Sequence, residues 1–392
     1  MQALSPFEQE VGGDRVVRAE DDAASRTESP PAPVATFPSA SARSKLVIVS
    51  NRLPVQQVER EGRRVWETSP GGLVSALRSV LSGSRVTWIG WSGVPDETPA
   101  PFEVDQVLNH PVGLTAEECE AFYDGFSNRT LWPLYHDAVR APEYRRAWWP
   151  VYAEVNRRFA REAAAAAPER GAVWIHDDHL QLAPRMLRDL RPDLRIGFFL
   201  HIPFPPLELF SRLPWRRDVV EGMLGADVIG FQTPRAARNF AALSRKYTTA
   251  RGDRGRLVHD GRRITCEAYP ISIDVVRFET LAETPAVRNH ERDLRTRLGD
   301  GRRILLGLDR LDYTKGIDVR LRAYQELLRS GRTSLDDSVF VQVAVPSRDH
   351  QPARTRRRRA KLGLPVLLAA GCGAGGVRAG QTRQHDRRHA VP

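Results

Sequence analysis

The sequence predicts an α/β fold built on a parallel sheet with helices on both faces. Short apolar runs alternate with helix-like segments from residue 45 to residue 347. The runs are apolar at nearly every position, as expected of parallel strands that are buried on both faces. Polar motifs follow several runs, at the ends of strands where sheets of this kind bind ligands. We therefore expect a ligand site at one edge of the sheet.

Local signals predict the elements in chain order. Strands are predicted at 45–50, 85–90, 172–175, 195–200, 227–231, 264–269 and 303–307. Helices are predicted at 71–81, 115–123, 144–167, 179–190, 216–224 and 234–247. Thr115 and Glu118 form a capping-box pattern at the start of the second helix. Pro234 suits the first turn of the last helix, and Pro168 ends the longest one.

Length and composition limit the class of protein. The chain has 392 residues, 41% hydrophobic and 27% charged, which is typical of a soluble protein with two domains. No apolar run approaches the roughly 20 residues of a membrane span. Residues 1–44 lack the apolar segment of a secretory signal, and their composition predicts a disordered leader. The three cysteines have no metal or redox spacing, which indicates a cytoplasmic protein.

The net charge of +11 is concentrated near the C-terminal end of the sequence. Residues 348–392 contain eleven Arg and Lys but two Asp, so this segment supplies nine of the eleven net charges. The distribution disfavours nucleic-acid binding by the folded body. The strand–helix alternation also stops at Ser347, which predicts a frame-shifted or disordered basic tail. We expect its one apolar patch, at 362–370, to have no partner.

Charged and imidazole side chains follow four of the seven predicted strands. Arg52 follows the first strand, Asp177 the third and His201 the fourth. Arg310 and Lys315 follow the seventh. Four such sets at the expected ligand edge predict a shared active cleft.

The Arg310–Lys315 segment lies at a predicted strand-to-helix turn. Two cations at the start of a helix can hold a dense anion such as a diphosphate. In a reaction that expels a diphosphate, fixed cations neutralise the developing charge without reorganising. Gly71 and Gly72 open another helix, and their backbone amides could approach a phosphate or a sugar closely.

The run His-Asp-Asp-His at 176–179 supports a metal-dependent hydrolase as an alternative. Adjacent His and Asp side chains can bind a divalent ion. In an extended segment, however, His176 and Asp178 would point to one side, and Asp177 and His179 to the other. The four side chains should then not converge. We therefore expect no metal site and assign Asp177 to a sugar hydroxyl.

Seven ordered motifs between 45 and 347 resemble those of the UDP-forming α,α-trehalose-phosphate synthases. They include Ser-Asn-Arg-Leu-Pro at 50–54, Phe-Ser-Asn-Arg-Thr-Leu-Trp-Pro at 126–133, Gly-Phe-Phe-Leu-His-Ile-Pro-Phe-Pro at 197–205 and Asp-Arg-Leu-Asp-Tyr-Thr-Lys-Gly at 309–316. The resemblance implies a GT-B glycosyltransferase with two Rossmann-like domains. It also implies transfer of glucose from UDP-glucose to glucose 6-phosphate, which gives α,α-trehalose 6-phosphate and UDP. Anomeric configuration would be retained, without a cofactor or a metal ion.

The resemblance also implies an acceptor pocket and a donor site. The acceptor pocket would be formed by Arg52, Trp91, Tyr123, Trp132 and Asp177. The donor site would be formed by Gly71, Gly72, His201, Arg310 and Lys315. In the acceptor pocket, the guanidinium would hold the phosphate, the carboxylate would hold sugar hydroxyls, and Trp91 would form a wall. In the donor site, the two cations would clamp the UDP diphosphate while the imidazole contacts the transferred glucose. No protein nucleophile is implied.

Two departures from the family pattern affect these expectations. Asp178 stands where the family usually has tyrosine, which adds a carboxylate beside Asp177 and could raise the pKa of Asp177. A complete N-terminal domain is expected at 45–285, whereas the second domain is recognisable only at 286–347. We therefore expect this chain to be impaired in transfer. A sugar-phosphate-binding protein without turnover is an alternative, and the sequence leaves a homo-oligomer open.

Overall fold

The structure is a computed structural model that describes residues 46–69, 72–81, 85–137, 140–253, 255–345 and 367–370. The predicted leader, Gly71 and most of the predicted tail lie outside these residues. Within the described residues, no helix is both long enough and apolar enough to cross a membrane.

The described part of the chain alternates strands with helices. The strands are β1 (Leu46–Arg52), β2 (Val55–Arg60), β3 (Arg63–Thr68), β4 (Val86–Trp91), β5 (Phe102–Val104), β6 (Val107–Pro111), β7 (Ala172–His176), β8 (Arg195–Leu200), β9 (Val228–Phe231), β10 (Arg251–Asp253), β11 (Arg256–His259), β12 (Arg262–Ala268), β13 (Arg303–Arg310), β14 (Ser338–Val345) and β15 (Leu367–Ala370). The α-helices are α1 (Gly72–Leu81), α2 (Ala116–Glu118), α3 (Trp132–Tyr135), α4 (Trp148–Ala166), α5 (Ala183–Leu190), α6 (Leu207–Phe210), α7 (Arg216–Met223), α8 (Pro234–Tyr247), α9 (Val275–Ala282), α10 (Pro285–Leu298) and α11 (Ile317–Arg329). A π-helix spans Cys119–Leu131, and 3-10 turns span Asp178–Leu180 and Tyr313–Lys315.

A ten-stranded sheet forms the main body, in the order β10-β11-β12-β9-β8-β7-β1-β4-β6-β5. Every neighbouring pair from β12 to β6 is parallel, as predicted. The two ends of the sheet are antiparallel, which the sequence did not indicate. Helix α4 packs against β1 and β4, and α8 packs against β9 and β12. The central strands are therefore buried, as Ile48, Ile175 and Phe198 illustrate.

A second, smaller sheet has the order β13-β14-β15 and is parallel throughout. Helix α11 connects β13, which contains the predicted strand at 303–307, to β14, and the three elements form a strand–helix–strand unit. Strand β15 falls within the predicted tail and pairs with β14 through Val341–Ala344. Leu367–Ala370, which belong to the apolar patch of the tail, are therefore paired with β14. The expectation that the patch has no partner is wrong for these residues.

The predicted helix at 115–123 continues further and changes its hydrogen-bond pattern. The predicted capping box is confirmed, since the Glu118 amide donates to Thr115 Oγ1 (3.1 Å) and the Thr115 amide donates to Glu118 Oε2 (3.0 Å). After this turn the chain forms the π-helix. Pro133 has no N–H for a helical bond, and the carbonyl of Arg129 accepts instead from the Glu143 amide at 2.8 Å.

Two other predicted helices have different bounds. The helix predicted at 144–167 begins at Trp148, and the one predicted at 179–190 is split into a 3-10 turn and α5. The antiparallel hairpin of β2 and β3 is an addition to the predicted elements. By contrast, α8 spans the predicted 234–247, with the Thr233 hydroxyl accepting from the Ala236 amide at its start.

Candidate functional site

The carboxyl ends of four neighbouring parallel strands form one edge of the main sheet. These strands are β8, β7, β1 and β4. Arg52 is the last residue of β1 and Trp91 is the last residue of β4. Asp177 directly follows β7, and His201 directly follows β8. Three of the four sets that were expected at one edge therefore lie there. The fourth set, Arg310 and Lys315, follows β13 of the separate small sheet, so the expectation of one shared sheet edge is wrong for these two residues.

A chain of contacts positions Arg52. Trp88 Nε1–H donates to Ser50 Oγ at 2.9 Å, and the Ser50 hydroxyl donates to the Arg52 carbonyl at 2.7 Å. The guanidinium carbon lies 4.6 Å from the ring centroid of Trp91, a cation–π distance. A Cβ atom at Gly93 would lie only 2.1 Å from a guanidinium nitrogen. The backbone and side chain of Arg52 are thus both constrained.

Trp91 contacts this arginine and is itself held in place. Its ring is buried, and its Nε1–H donates to the carbonyl of Val94 at 3.0 Å. Its ring edge also meets Tyr123 at a centroid distance of 6.2 Å. The Tyr123 ring stacks on His179 at 5.5 Å with an angle of 16°. The rings of Trp91, Tyr123 and His179 therefore form a continuous series of contacts that begins at Arg52.

Asp177 and His201 are joined directly. The His201 amide donates to Asp177 Oδ1 at 3.2 Å, while the Asp177 amide donates to the Phe199 carbonyl at 2.8 Å. His201 Nε2 lies 3.1 Å from His176 Nδ1, within hydrogen-bond distance. Burial lowers the pKa of His201 and holds the pKa of His176 well below its usual range. Both imidazoles are therefore neutral near pH 7.

The segment at 176–179 is a sharp turn, and the expectation of an extended segment is wrong. Asp177 has φ = 76° and ψ = 172°, a positive-φ conformation that is rare for a residue other than glycine. The 3-10 turn at Asp178–Leu180 follows at once. As a result, Asp177, Asp178 and His179 bring one potential ligand atom each within 4.8 Å of one another. The geometric argument against a metal site therefore fails for these three residues.

Asp178 itself is buried, which changes the expected effect of this residue. Burial raises the pKa of Asp178 well above its usual range, and the neighbouring carboxylate of Asp177 adds to the rise. The second carboxyl group of this segment is therefore itself perturbed. Burial also lowers the pKa of the adjacent His179.

The expected donor residues lie at a strand-to-helix turn, as predicted. β13 ends at Arg310, the Asp312 carboxylate accepts from the Thr314 amide at 2.9 Å, and Lys315 precedes α11. Gly316 has φ = 59° and allows the chain to enter the helix. Gly72 is the exposed first residue of α1, and a Cβ there would meet nothing within 4 Å.

Trp132 contacts His136, and the charges of the turn at 312–315 act on this histidine. Its carbonyl lies 2.8 Å from His136 Nδ1, and the two rings have centroids 4.2 Å apart. The pKa of His136 is lowered mainly by burial, and the charges of Asp312 and Lys315 also act on it. The Lys315 turn is therefore within electrostatic range of the Trp132–His136 pair.

Several positioning residues were not among the predicted site residues: Ser50, Trp88, Gly93, His136 and His179. Ser50 lies in the quoted Ser-Asn-Arg-Leu-Pro motif with Arg52, and Gly93 lies two residues after Trp91, so proximity in sequence was an available signal. No comparable signal marks the stacking of His179 on Tyr123, because it depends on the positive φ of Asp177.

Comparison with known proteins identifies the family. The model of glycosyltransferase family 20 matches residues 44–362, which extends past Ser347. The chain belongs to glycosyltransferase family 20. It is 52% identical over 320 residues to the trehalose-6-phosphate synthase of Mycolicibacterium smegmatis, covering 79% of this chain and 63% of that protein. For the Mycolicibacterium gilvum protein of the same name the values are 50% over 325 residues, 79% and 65%. The chain thus spans less than two thirds of these relatives.

Solved structures of similar fold agree with this assignment. One is a UDP-forming α,α-trehalose-phosphate synthase from Burkholderia xenovorans in complex with glucose 6-phosphate. Its TM-score is 0.69 at 29% identity, covering 82% of this chain and 74% of that one. A structure from E. coli bound with UDP-2-fluoro glucose has a TM-score of 0.72 at 26% identity, covering 84% and 74%. The predicted α/β fold class of GT-B type is confirmed.

Proposed function

We propose that this chain is a retaining glucosyltransferase that converts UDP-glucose and glucose 6-phosphate into α,α-trehalose 6-phosphate and UDP. The observation that carries the proposal is the convergence of Arg52, Asp177 and His201 at one edge of the main sheet. The names of the relatives, and the glucose 6-phosphate and UDP-2-fluoro glucose in the similar structures, support these substrates. A further similar structure is that of a trehalose-6-phosphate synthase studied for glycosyl transfer with retention, which supports the proposed stereochemistry.

We assign acceptor binding to residues 45–285. Arg52 would bind the acceptor phosphate through charge-assisted hydrogen bonds, and Asp177 would accept bonds from sugar hydroxyls. Tyr123 and Trp132 would provide aromatic surfaces beside the sugar. The contacts of Arg52 with Trp91 and Ser50 support this role, because they fix the cation before the ligand arrives.

We assign donor binding to residues 286–347 together with His201 and the glycine pair. Arg310 and Lys315 would neutralise the UDP diphosphate beside the N-terminus of α11. The neutral imidazole of His201 would contact the transferred glucose. Gly72 would allow close approach of the donor, and its proposed partner Gly71 lies outside the described residues.

The proposed step breaks the bond between glucose C1 and the β-phosphate oxygen of UDP. The anomeric hydroxyl of glucose 6-phosphate attacks C1 from the face that UDP leaves, so configuration is retained. The proton of that hydroxyl passes to the departing phosphate oxygen. The two cations stabilise the charge that develops on the diphosphate.

We place the reaction in the cytoplasm, since the described cysteines, Cys119 and Cys266, are unpaired thiols.

The acceptor assignment is tested by calorimetry with glucose 6-phosphate. Replacing Arg52 with alanine should remove about 1.5–3 kcal/mol of binding free energy, or about 10- to 150-fold in affinity. Arg64→Ala is the matched control, because Arg64 is an exposed arginine of the nearby hairpin. Equal binding by the parent chain and Arg52→Ala would refute the assignment.

A binding protein without turnover is the second candidate. The observation that favours it is the exposure of β13, where Leu306 is 67% and Leu308 is 66% exposed. Cations on a loosely covered strand lose part of their preorganised effect. Measuring the release of UDP from UDP-glucose in the presence of glucose 6-phosphate distinguishes a transferase from a binding protein. Release that is abolished by Lys315→Ala but kept by Arg322→Ala supports transfer, whereas acceptor binding without release supports the binding protein.

A further inference from the structure

The turn Asp177–His179 concentrates polar atoms that have no hydrogen-bond partner. Asp178 is 1% exposed, yet neither of its carboxyl oxygens accepts or donates a hydrogen bond within the described structure. Both ring nitrogens of His179 are likewise buried and without a hydrogen-bond partner. Leaving a buried polar group unsatisfied costs about 1–3 kcal/mol, and more for a charged group. The described residues therefore leave the free-energy cost of these buried polar atoms uncompensated.

Two other buried histidines near carboxylates are hydrogen-bonded to them. His110 Nε2 lies 2.8 Å from Glu162 Oε2, and His259 Nε2 lies 3.0 Å from Glu221 Oε2. In both cases the imidazole and the carboxylate form a hydrogen-bonded pair. His179 Nδ1 lies 3.5 Å from Asp178 Oδ1 without forming a hydrogen bond. The imidazole of His179 and the carboxyl group of Asp178 are thus not paired in the way that these two other pairs are.

The geometry of the turn suits a small cation. One ligand atom from each of Asp177, Asp178 and His179 lies within 4.8 Å of the others. In a tetrahedral zinc site with bonds of about 2.0–2.2 Å, neighbouring ligand atoms are about 3.3–3.6 Å apart. The 3.5 Å between Asp178 Oδ1 and His179 Nδ1 falls within that range. One ion could therefore satisfy the oxygens of Asp178 and a nitrogen of His179 together.

We propose that Asp177, Asp178 and His179 form a binding site for a divalent first-row transition-metal ion of the Zn²⁺ or Co²⁺ type. An imidazole ligand favours these ions over Mg²⁺ and Ca²⁺, which prefer oxygen ligands alone. Two carboxylates match the charge of the ion, and a fourth position remains for water or a ligand. The site shares Asp177 with the proposed acceptor pocket. Metal binding is measured without substrates, however, so its failure can be told apart from a failure of the proposed glucosyl transfer.

Metal binding is measured on the full chain purified without a histidine tag and stripped with a chelator. Calorimetry with Zn²⁺ should show one ion per chain, and Co²⁺ should give the visible absorption of a low-coordinate site. Asp178→Asn and His179→Gln should each weaken Zn²⁺ binding at least about tenfold and remove the Co²⁺ band. Asp260→Asn is the matched control, because its exposed carboxylate lies 3.6 Å from a histidine but already pairs with Arg185.

The outcomes decide the proposal in either direction. Stoichiometric binding that both variants lose and Asp260→Asn keeps would support it. Absence of binding by the parent chain, or binding that survives both substitutions, would overturn it. Circular dichroism checks that each variant is folded. If Asp178→Asn does not fold, His179→Gln decides alone, since its side chain is partly exposed and the substitution keeps an amide of similar length.

Discussion

Strands β1 and β13 have similar sequences but very different surroundings. Both are apolar runs that end in an arginine, Leu46–Arg52 and Arg303–Arg310. In β1 the five central residues are all buried, whereas in β13 only Gly307 is buried. Ile48 is 0% exposed and Ile304 is 40% exposed. An apolar run therefore predicts a strand, but its burial depends on what the rest of the fold places over it.

The same difference separates the two candidate phosphate-binding cations. Arg52 lies at the end of a covered strand and is close to both Trp91 and Gly93. Arg310 lies at the end of the exposed strand, with a half-buried turn after it. A guanidinium that is confined by two neighbours needs little ordering when a ligand binds. We therefore expect substitutions in the main sheet to have larger effects than similar ones in the small sheet.

The largest contrast is expected between Ile48→Ala and Ile304→Ala. Truncating the buried side chain in β1 removes packing and leaves a cavity, which should cost about 2–5 kcal/mol of unfolding free energy. The same change in β13 should cost less than about 1 kcal/mol, because Ile304 is already partly in water. Urea denaturation of the two variants measures both values. Equal losses would show that β13 is as well covered as β1.

The next contrast concerns glycines with positive φ in the two regions. Gly93 (φ = 98°) contacts the Arg52 guanidinium, whereas Gly331 (φ = 67°) has nothing within 4 Å of an added Cβ. Alanine should strain the backbone by about 1 kcal/mol at both positions. At Gly93 it should also displace Arg52 and weaken glucose 6-phosphate binding about 10-fold or more. Calorimetry in which both variants bind like the parent chain would show that Gly93 does not position the arginine.

The sequence predicted most of the regular elements because their signals are local. Helix α8 was predicted at its observed bounds, since Thr233 and Pro234 are a typical helix start. The π-helix at Cys119–Leu131 was not predicted, because its i→i−5 bonds follow no common periodic pattern. Hairpin β2–β3 was missed because it carries many charged residues and lacks a clear alternation.

For the site, the sequence predicted which side chains lie at the strand ends but not how the chain turns there. Arg52, Asp177 and His201 were placed at one edge by counting strands. The turn that brings Asp178 and His179 together depends on φ = 76° at Asp177. A non-glycine residue adopts this conformation only when surrounding contacts impose it, and no local pattern signals those contacts.

A smaller effect is expected from two acidic residues that pair with arginines. Glu118 accepts from both terminal nitrogens of Arg158, at 2.9 and 2.6 Å, and its pKa is lowered mainly by that hydrogen bonding. An acid whose pKa falls on folding adds stability above its ordinary pKa and loses it as the pH drops through the lowered value. Glu118→Gln should therefore cost about 1–2 kcal/mol at pH 7, and the cost should shrink in acid.

The matched control is Glu291→Gln in α10. Glu291 pairs with Arg295 at 2.9 Å, but both side chains are more than half exposed. Exposed pairs contribute about 0–1 kcal/mol, so this variant should differ little from the parent chain at any pH. Thermal melts of both variants between pH 3 and about pH 7 compare them. A cost for Glu118→Gln that stays constant with pH would exclude a charge effect.

The smallest effect concerns two buried tyrosines, one in each region, for which we expect no difference between the regions. Tyr324 of α11 is 2% exposed, and its hydroxyl donates to the Ser338 carbonyl at 3.0 Å. Tyr135 in the main body is equally buried and donates to Gln181 Oε1 at 2.7 Å. Phenylalanine at either position removes one buried hydrogen bond, which should cost about 0.5–1.5 kcal/mol. Similar losses in urea denaturation are expected, because burial of the individual side chain decides the cost and not the sheet to which it belongs. A negligible loss for Tyr324→Phe beside a clear loss for Tyr135→Phe would instead mean that the small sheet opens before the main body unfolds.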